Sequence, residues 1–331
     1  MSQISLPSPL DMHVHLRQDD MLHHVTPYTA QQFVGAVCMP NTLPPVDSMK
    51  RYDAYVAEIK AAAAPLEFEP YVPLFLRPDY TREELEPAVD RLFGAKLYPA
   101  GVTTNSEGGV KEVEKLEPVL DLLQDLGIPL LVHGETDGYS PDREREFLAV
   151  YDHFAKTFPK LRITMEHITC ADTVDFLEKH DNVFATVTLH HLLYTLDDVL
   201  GGLFNPFLFC KPICKSAKDR DALQALVLSG HPKVMFGSDS APHTEVMKRT
   251  EGMAGCFTAP VLLPMLAEFF EDNDALDKLE PFVCDRAREI YPRIRVPERN
   301  VVLENTEWTV PPRYGSVVPI NPGDRLRWQV V

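Results

Sequence analysis

Eight short apolar runs, most of them followed by a longer amphipathic stretch, divide most of this chain, and that alternation permits few folds. The runs end near Val14, Met39, Phe75, Tyr98, Val132, Glu166, Thr188 and Gly237. Helix-like stretches between them include 48–64, 81–93, 112–126, 142–157, 171–180 and 218–229. Strands that alternate with helices pair in parallel, and eight of them close a barrel. The runs GAVCM, PLLV and KVMF are almost wholly apolar, as strands covered on both faces must be. An open doubly wound sheet is the competing arrangement, but no glycine-rich phosphate loop follows the first run. The expected fold is α/β, a (β/α)8 TIM barrel over residues 1–295. Beyond it, 301–303, 307–310, 316–320 and 325–330 are β-like runs between proline and glycine turns. Residues 296–331 bury too little surface to fold alone, so they are expected to form a β-rich extension packed on the barrel.

Charge narrows the partners. Lys and Arg number 32 against 49 Asp and Glu, a formal charge of −17. That field repels nucleic acid and anionic membranes, so neither is an expected partner, and an anionic substrate would need strong local positive charge. The most apolar stretch, 260–270, is too short to span a bilayer and contains Glu268. The chain opens without a basic segment followed by an apolar run, and its six scattered cysteines suit reduced thiols. A cytoplasmic enzyme is the expectation.

The chemistry lies at the ends of the inferred strands, which in a barrel meet at one mouth. The first ends in His13-Val14-His15, two imidazoles on one side of an extended strand, able to grip one metal. Further strand ends supply Lys96, His133, His167 and Asp239. A single histidine of this kind is more often a hydrogen-bonded core residue than a ligand. Four histidines and a carboxylate on converging strands suit Zn2+. A cationic lysine beside two divalent metals is disfavoured, but a buried neutral amine can add CO2, and the resulting carbamate can bridge two zincs. Taken alone, Lys96 reads equally as a surface lysine or an ion-pair partner.

These residues resemble the binuclear metal pattern of the amidohydrolase superfamily and, more narrowly, the monofunctional dihydroorotases. The similarity runs through DMHVHLR, MPNT, KLYPAGVTTNS, LLVHGE, EHIT, HHL, FCKP and GSDSAPH to AGCF, from residue 11 to 257, in the family's order. The tail ending in PGDRLRW also resembles that of fungal and related eukaryotic members. The resemblance implies interconversion of N-carbamoyl-L-aspartate and L-dihydroorotate in pyrimidine synthesis. It implies two Zn2+ per chain, one on His13 and His15 and the other on His133 and His167. Lys96, as N6-carboxylysine, and a nucleophilic hydroxide would bridge them, with Asp239 as ligand and general base, then acid. Arg17, Asn41 and His243 would bind the substrate carboxylate. Thr103 and Thr104, in the small-residue loop 100–109, would close over it as a lid. Lys211 and Ala254 would touch it through backbone, although many bacterial members carry an aliphatic residue where Lys211 stands. A homodimer is implied as well.

Plainer roles stand beside these. Arg17 could pair with Asp19 or Asp20, Asn41 could shape a turn, and His243 could brace its loop. Residues 100–109 could be an ordinary connection. His23-His24 faces opposite ways on a strand and is expected in a loop; His190-His191 is expected to be structural, and Cys210 and Cys214 to be buried thiols. Competing functions are a related cyclic-amide hydrolase, such as a hydantoinase or allantoinase, and a catalytically silent scaffold.

Overall fold

A computed structural model describes residues 2–331 except 102, 103, 105, 107 and 110–112. Its strands are β1 (Gln3–Pro7), β2 (Leu10–Val14), β3 (Gly35–Cys38), β4 (Glu69–Tyr71), β5 (Leu74–Phe75), β6 (Ala95–Leu97), β7 (Leu130–Val132), β8 (Ile163–Met165), β9 (Val183–Val187), β10 (Val234–Phe236), β11 (Asn300–Thr309) and β12 (Arg325–Val330). Strands β5 to β10 pair in chain order as one parallel sheet, and β2, β3 and β4 form a second. Only Val72 and Pro73 separate β4 from β5, so these are two halves of the third barrel strand, interrupted where proline offers no ladder donor. Closure runs between β10 and β2. The His15 N–H donates to Ser240 O at 3.0 Å, the Asp239 N–H donates to His13 O at 2.8 Å, and Val14 bridges Ser240 in parallel. The eight-stranded α/β barrel expected from the apolar runs is thus present, and each strand ends within one residue of its expected end.

Period-two alternation separates two apolar layers. Val37, Met39, Leu131 and Met235 point inward and meet Ile290, Tyr291 and Ile294, which plug the bottom. Ala36, Cys38, Leu130, Val132, Ile163, Met165 and Phe236 face outward beneath the helices. Helix ends follow local chemistry. Ser216 and Asp219 form a reciprocal capping box at the start of Ala217–Leu228, and Gly127 takes a left-handed conformation to end Glu117–Leu126.

One departure from alternation matters for the mouth. In the β2–β3 ladder Asp11 pairs with Ala36 but Val14 with Cys38, so β2 carries one residue more than its partner across that step. Leu10 and Met12 join the inner layer while Val14 lies in the outer one. The bulge resets the period between them and turns His13 and His15 toward the barrel axis. Asp11, fully buried, makes it tenable: its Oδ1 accepts from the N–H groups of His13 at 3.1 Å and Ser238 at 2.8 Å.

The C-terminal segment contributes β11 and β12 to an antiparallel sheet whose third strand is β1, from the opposite end of the chain. The runs 301–303 and 307–310 merge in one strand with a register shift between Asn305 and Trp308. Residues 316–320 form no strand, and only Val317 pairs, with Tyr314 across a turn. Trp328 is 2% exposed, donates from Nε1 to Glu271 Oε2 at 3.1 Å, and accepts the Trp308 indole N–H on its carbonyl at 2.6 Å. Among the described residues no helix is long and apolar enough to cross a membrane. Because Trp328 fills the junction between extension and barrel, Trp328→Ala should cost about 3–5 kcal/mol of stability, read as a lower denaturation midpoint.

Candidate active site

Strand β2 delivers its histidines to the mouth already oriented. His13 Nδ1 lies 2.5 Å from Glu166 Oε2, and His15 Nδ1 lies 2.9 Å from Asn41 Oδ1. Both neighbours are acceptors, so each ring carries a proton on Nδ1 and turns its Nε2 the other way. Those two Nε2 atoms are 3.4 Å apart, and Asp239 Oδ1 lies 3.4 and 3.2 Å from them. Three electron-pair donors converge with no proton between them, an arrangement that calls for a cation at their centre.

A second pair faces the first. His133 Nε2 is 2.7 Å from Glu135 Oε2, which leaves its Nδ1 free to meet His167 Nε2 at 3.1 Å. Backbone strain helps to aim these groups: His167 and Asp239 both have φ of 43°, a left-handed conformation that costs a non-glycine residue energy. Among the four sequence histidines, His13, His133 and His167 are at most 2% exposed.

Lys96 is fully buried on β6, and among the described residues its Nζ has no hydrogen-bond partner. It is therefore neither a surface lysine nor half of an ion pair. Burial pulls its pKa down to about 8, against the opposing charges of Glu166 and Asp239. At neutral pH roughly a tenth of such amines are unprotonated, against a negligible share at the ordinary value. Burial also lowers His15 to about 4 and holds His133 and His167 below their usual range. Burial alone would raise Asp239, but the His15 hydrogen bond and the neighbouring imidazoles hold it well below the ordinary carboxylate value. The donor set is thus the neutral imidazoles of His15, His133 and His167, the His13 ring and a carboxylate, with a buried amine among them. It suits borderline divalent cations, and the amine suits conversion to an anionic bridge.

The anion-binding candidates lie against this cluster. Arg17, with a φ of 62°, turns away from Asp19 and Asp20: Nε donates to Pro242 O at 3.0 Å and Nη2 meets His243 Nε2 at 2.9 Å. Burial lowers its pKa to about 10, so it remains a cation at neutral pH. His243 Nε2 is also 3.1 Å from Ala254 O. Asn41 does more than shape a turn; besides accepting from His15, it donates through Nδ2 to Thr104 O at 3.0 Å. Thr104, Lys211 and Ala254 line the same cavity as Arg17, Asn41, the four histidines and Asp239. Thr103 lies outside the described residues.

Several contributors escaped the sequence. Glu166 and Glu135 orient His13 and His133; their signal was a carboxylate one or two places from a strand-end histidine. Tyr98 and Gly255 also line the cavity. His190, His191 and Cys210 come within ligating distance of one another, all buried. The His191 ring is already engaged, Nδ1 with Thr188 Oγ1 at 2.8 Å and Nε2 with Pro212 O at 3.0 Å, which suits the expected structural role. His24 donates from Nε2 to Tyr314 O at 2.9 Å and lies on the helix Asp19–Gln32, not in a loop.

Comparison places this chain among known proteins. Residues 4–280 match the sequence profile described as the amidohydrolase family. A dihydroorotase of Helicobacter hepaticus is 42% identical over 99% of this chain and 97% of its own. A crystal structure of dihydroorotase from Campylobacter jejuni superposes with a TM-score of 0.94 at 46% identity, covering 99% of this chain and 97% of that one. Dihydroorotase from Saccharomyces cerevisiae, solved with 5-fluoroorotic acid, gives 0.93 at 32% identity over 100% and 99% of the two chains. The C-terminal extension is thus shared with bacterial as well as fungal relatives.

Because Glu166 fixes the proton position of His13, Glu166→Gln should weaken metal binding by roughly ten- to a hundredfold. Chelator competition on otherwise folded protein checks it; unchanged affinity would leave Glu166 without that role.

Proposed function

The chain belongs to the amidohydrolase family, and on that footing we propose that it catalyses the dihydroorotase reaction, the reversible hydrolysis of L-dihydroorotate to N-carbamoyl-L-aspartate in pyrimidine biosynthesis. The observation that carries this is the convergence, at one barrel mouth, of four histidines, Asp239 and a buried lysine that makes no hydrogen bond among the described residues, with a half-buried arginine in the same cavity. A cyclic amide that bears a carboxylate needs both halves. Hydantoinase- and allantoinase-type hydrolysis needs the metal half but not this arginine–histidine pair together with the SDSAPH and TTN segments. A silent scaffold would have no use for an intact ligand set.

His13 and His15 would hold one divalent cation and His133 and His167 a second, with Asp239 on the first. Lys96 would lie between them as its carbamate, formed when the neutral amine adds CO2 and releases a proton. Zn2+ is the ion the donor types fit best. When bound, the cations supply Lewis acidity, polarising the amide carbonyl and acidifying water at neutral pH. The protein's own part is positioning and proton transfer. Arg17 offers a planar fork that matches the substrate carboxylate, and His243 and Asn41 flank it. Asp239, held ionised, takes the proton of the attacking water on a carboxylate oxygen and returns it to the ring nitrogen as the C–N bond breaks. Thr103 and Thr104 would close the mouth, an assignment supported by Thr104 lining the cavity and by its carbonyl bond to Asn41. Lys211 and Ala254 would bound the pocket through their backbone. A cytoplasmic location is supported by six cysteines that are all free and buried, and a homodimer by the family resemblance alone.

Purified protein should hydrolyse dihydroorotate and hold close to two divalent metals per chain. Lys96→Ala should lose most of one metal and nearly all turnover while staying folded, and a short added carboxylic acid should restore part of both. Retention of two metals and parental turnover in that variant would return Lys96 to a structural role. Arg17→Lys keeps the charge but loses the fork, so affinity for dihydroorotate should fall by about 2–5 kcal/mol with metal content unchanged. Steady-state kinetics and elemental analysis check both variants.

A further inference from the structure

Lys248, on the helix Glu245–Thr250, is only 3% exposed, and no carboxylate pairs with it among the described residues. Its three donors go to three backbone carbonyls instead: Phe209 O at 2.9 Å, Met253 O at 2.8 Å and Gly255 O at 2.6 Å. An ammonium has three N–H bonds, so this set satisfies it fully. The carbonyls belong to two segments. One runs into Lys211, and the other brackets Ala254; both residues line the cavity that holds Arg17.

The two segments also touch each other, since the Gly255 N–H donates to Phe209 O at 2.9 Å. Gly255 has a φ of 140°, and a Cβ there would fall 2.4 Å from Ala241 O, so the loop lies flush on the segment that carries His243. Ala254 is thereby fixed from three sides: its own carbonyl faces His243, and the carbonyls before and after it are bound by Lys248. Among the described residues its N–H has no hydrogen-bond partner, although the loop around it is tied down. Lys248 also brings a buried positive charge close enough to depress the His243 imidazole, after burial and Arg17.

Burying an ammonium with no carboxylate beside it is expensive even when its three N–H bonds are satisfied. The charge gains a purpose if an anion arrives nearby. We propose that Lys248 is a positioning residue for the substrate carboxylate: it fixes the 209–211 and 253–255 segments as the backbone wall of the anion pocket and adds positive potential behind it. The proposal rests on the dihydroorotase reading and assigns within it a residue that does not touch substrate.

The test compares Lys248→Met, Lys248→Gln and Lys248→Arg in the metal-loaded enzyme, measuring KM and kcat for dihydroorotate, metal per chain and thermal unfolding. Lys248→Met should raise KM about tenfold or more, with kcat within about threefold and both metals retained. Lys248→Arg, which keeps the charge and several donors, should restore KM to within about threefold of the parent. A purely structural role would lower the unfolding temperature or the active fraction and leave KM unchanged in the molecules that fold. That result, or loss of metal together with kcat, overturns the proposal. If Lys248→Met does not fold, Lys248→Gln decides, because it keeps two donors without the charge; a parental KM there overturns the proposal equally. A parent enzyme inactive on dihydroorotate would sink the functional reading itself, before any variant is compared, and this proposal with it.

Discussion

The mouth of this barrel depends on the backbone pairing that closes it. The residues that zip β2 to the chain beyond β10 are His13, His15, Asp239 and Ser240, so the hydrogen bonds that complete the barrel also bring two histidines and a carboxylate together. Asp11 reinforces the seam by accepting from both sides of it, and burial pushes its pKa up to about 6 despite those bonds. Gly237 lets the strands approach, since a Cβ there would lie 2.9 Å from that of His13. Closure and ligand geometry are one constraint. A barrel that failed to close would scatter these candidate ligands, and a metal gripping His13, His15 and Asp239 would fasten the barrel shut.

Around this seam the protein concentrates a charge pattern opposite to its own. A chain with a formal charge of −17 lines this cavity with Arg17 and Lys211 and buries Lys248 behind it. The carboxylates nearest the candidate metal-site histidines, Glu166, Glu135 and Asp239, each face an imidazole, and of the three only Asp239 also acts on Arg17. A substrate anion would therefore meet acidic surface outside and cationic donors within. Low dielectric inside the mouth strengthens that inner attraction, while solvent and salt screen the outer repulsion.

Most of this architecture was legible in the sequence because burial on both faces leaves a continuous apolar signature. The runs ending at Val14, Phe75 and Val132 correspond to strands with the same last residue. The polar residues at those ends were legible for the complementary reason: histidine, lysine and aspartate are out of place in such runs unless a site uses them. Three things were not legible. The bulge in β2 is a matter of ladder register, which one strand's sequence does not contain. The partners Glu166, Glu135 and Asp11 looked like ordinary strand-end acids until pairing across the barrel showed which groups they face. β1 was hidden for want of a local partner: QISLP reads as a weak, half-exposed run, and what makes it a strand lies at the other end of the chain.

That last pairing sets the order of events on the ribosome. Gln3 faces Glu304 across the ladder, a separation of 301 residues, so β1 is made before every barrel strand and waits for β11 before it has a neighbour. Until then the nascent chain carries an unpaired edge, with Leu6 and the barrel surface beneath the future extension uncovered. The barrel strands can pair successively as they emerge, each with the one before it, but the sheet that joins β1 to β11 and β12 can form only after all of them have been made. Length of contact, more than strength of contact, would then govern how long a newly made copy remains exposed to aggregation.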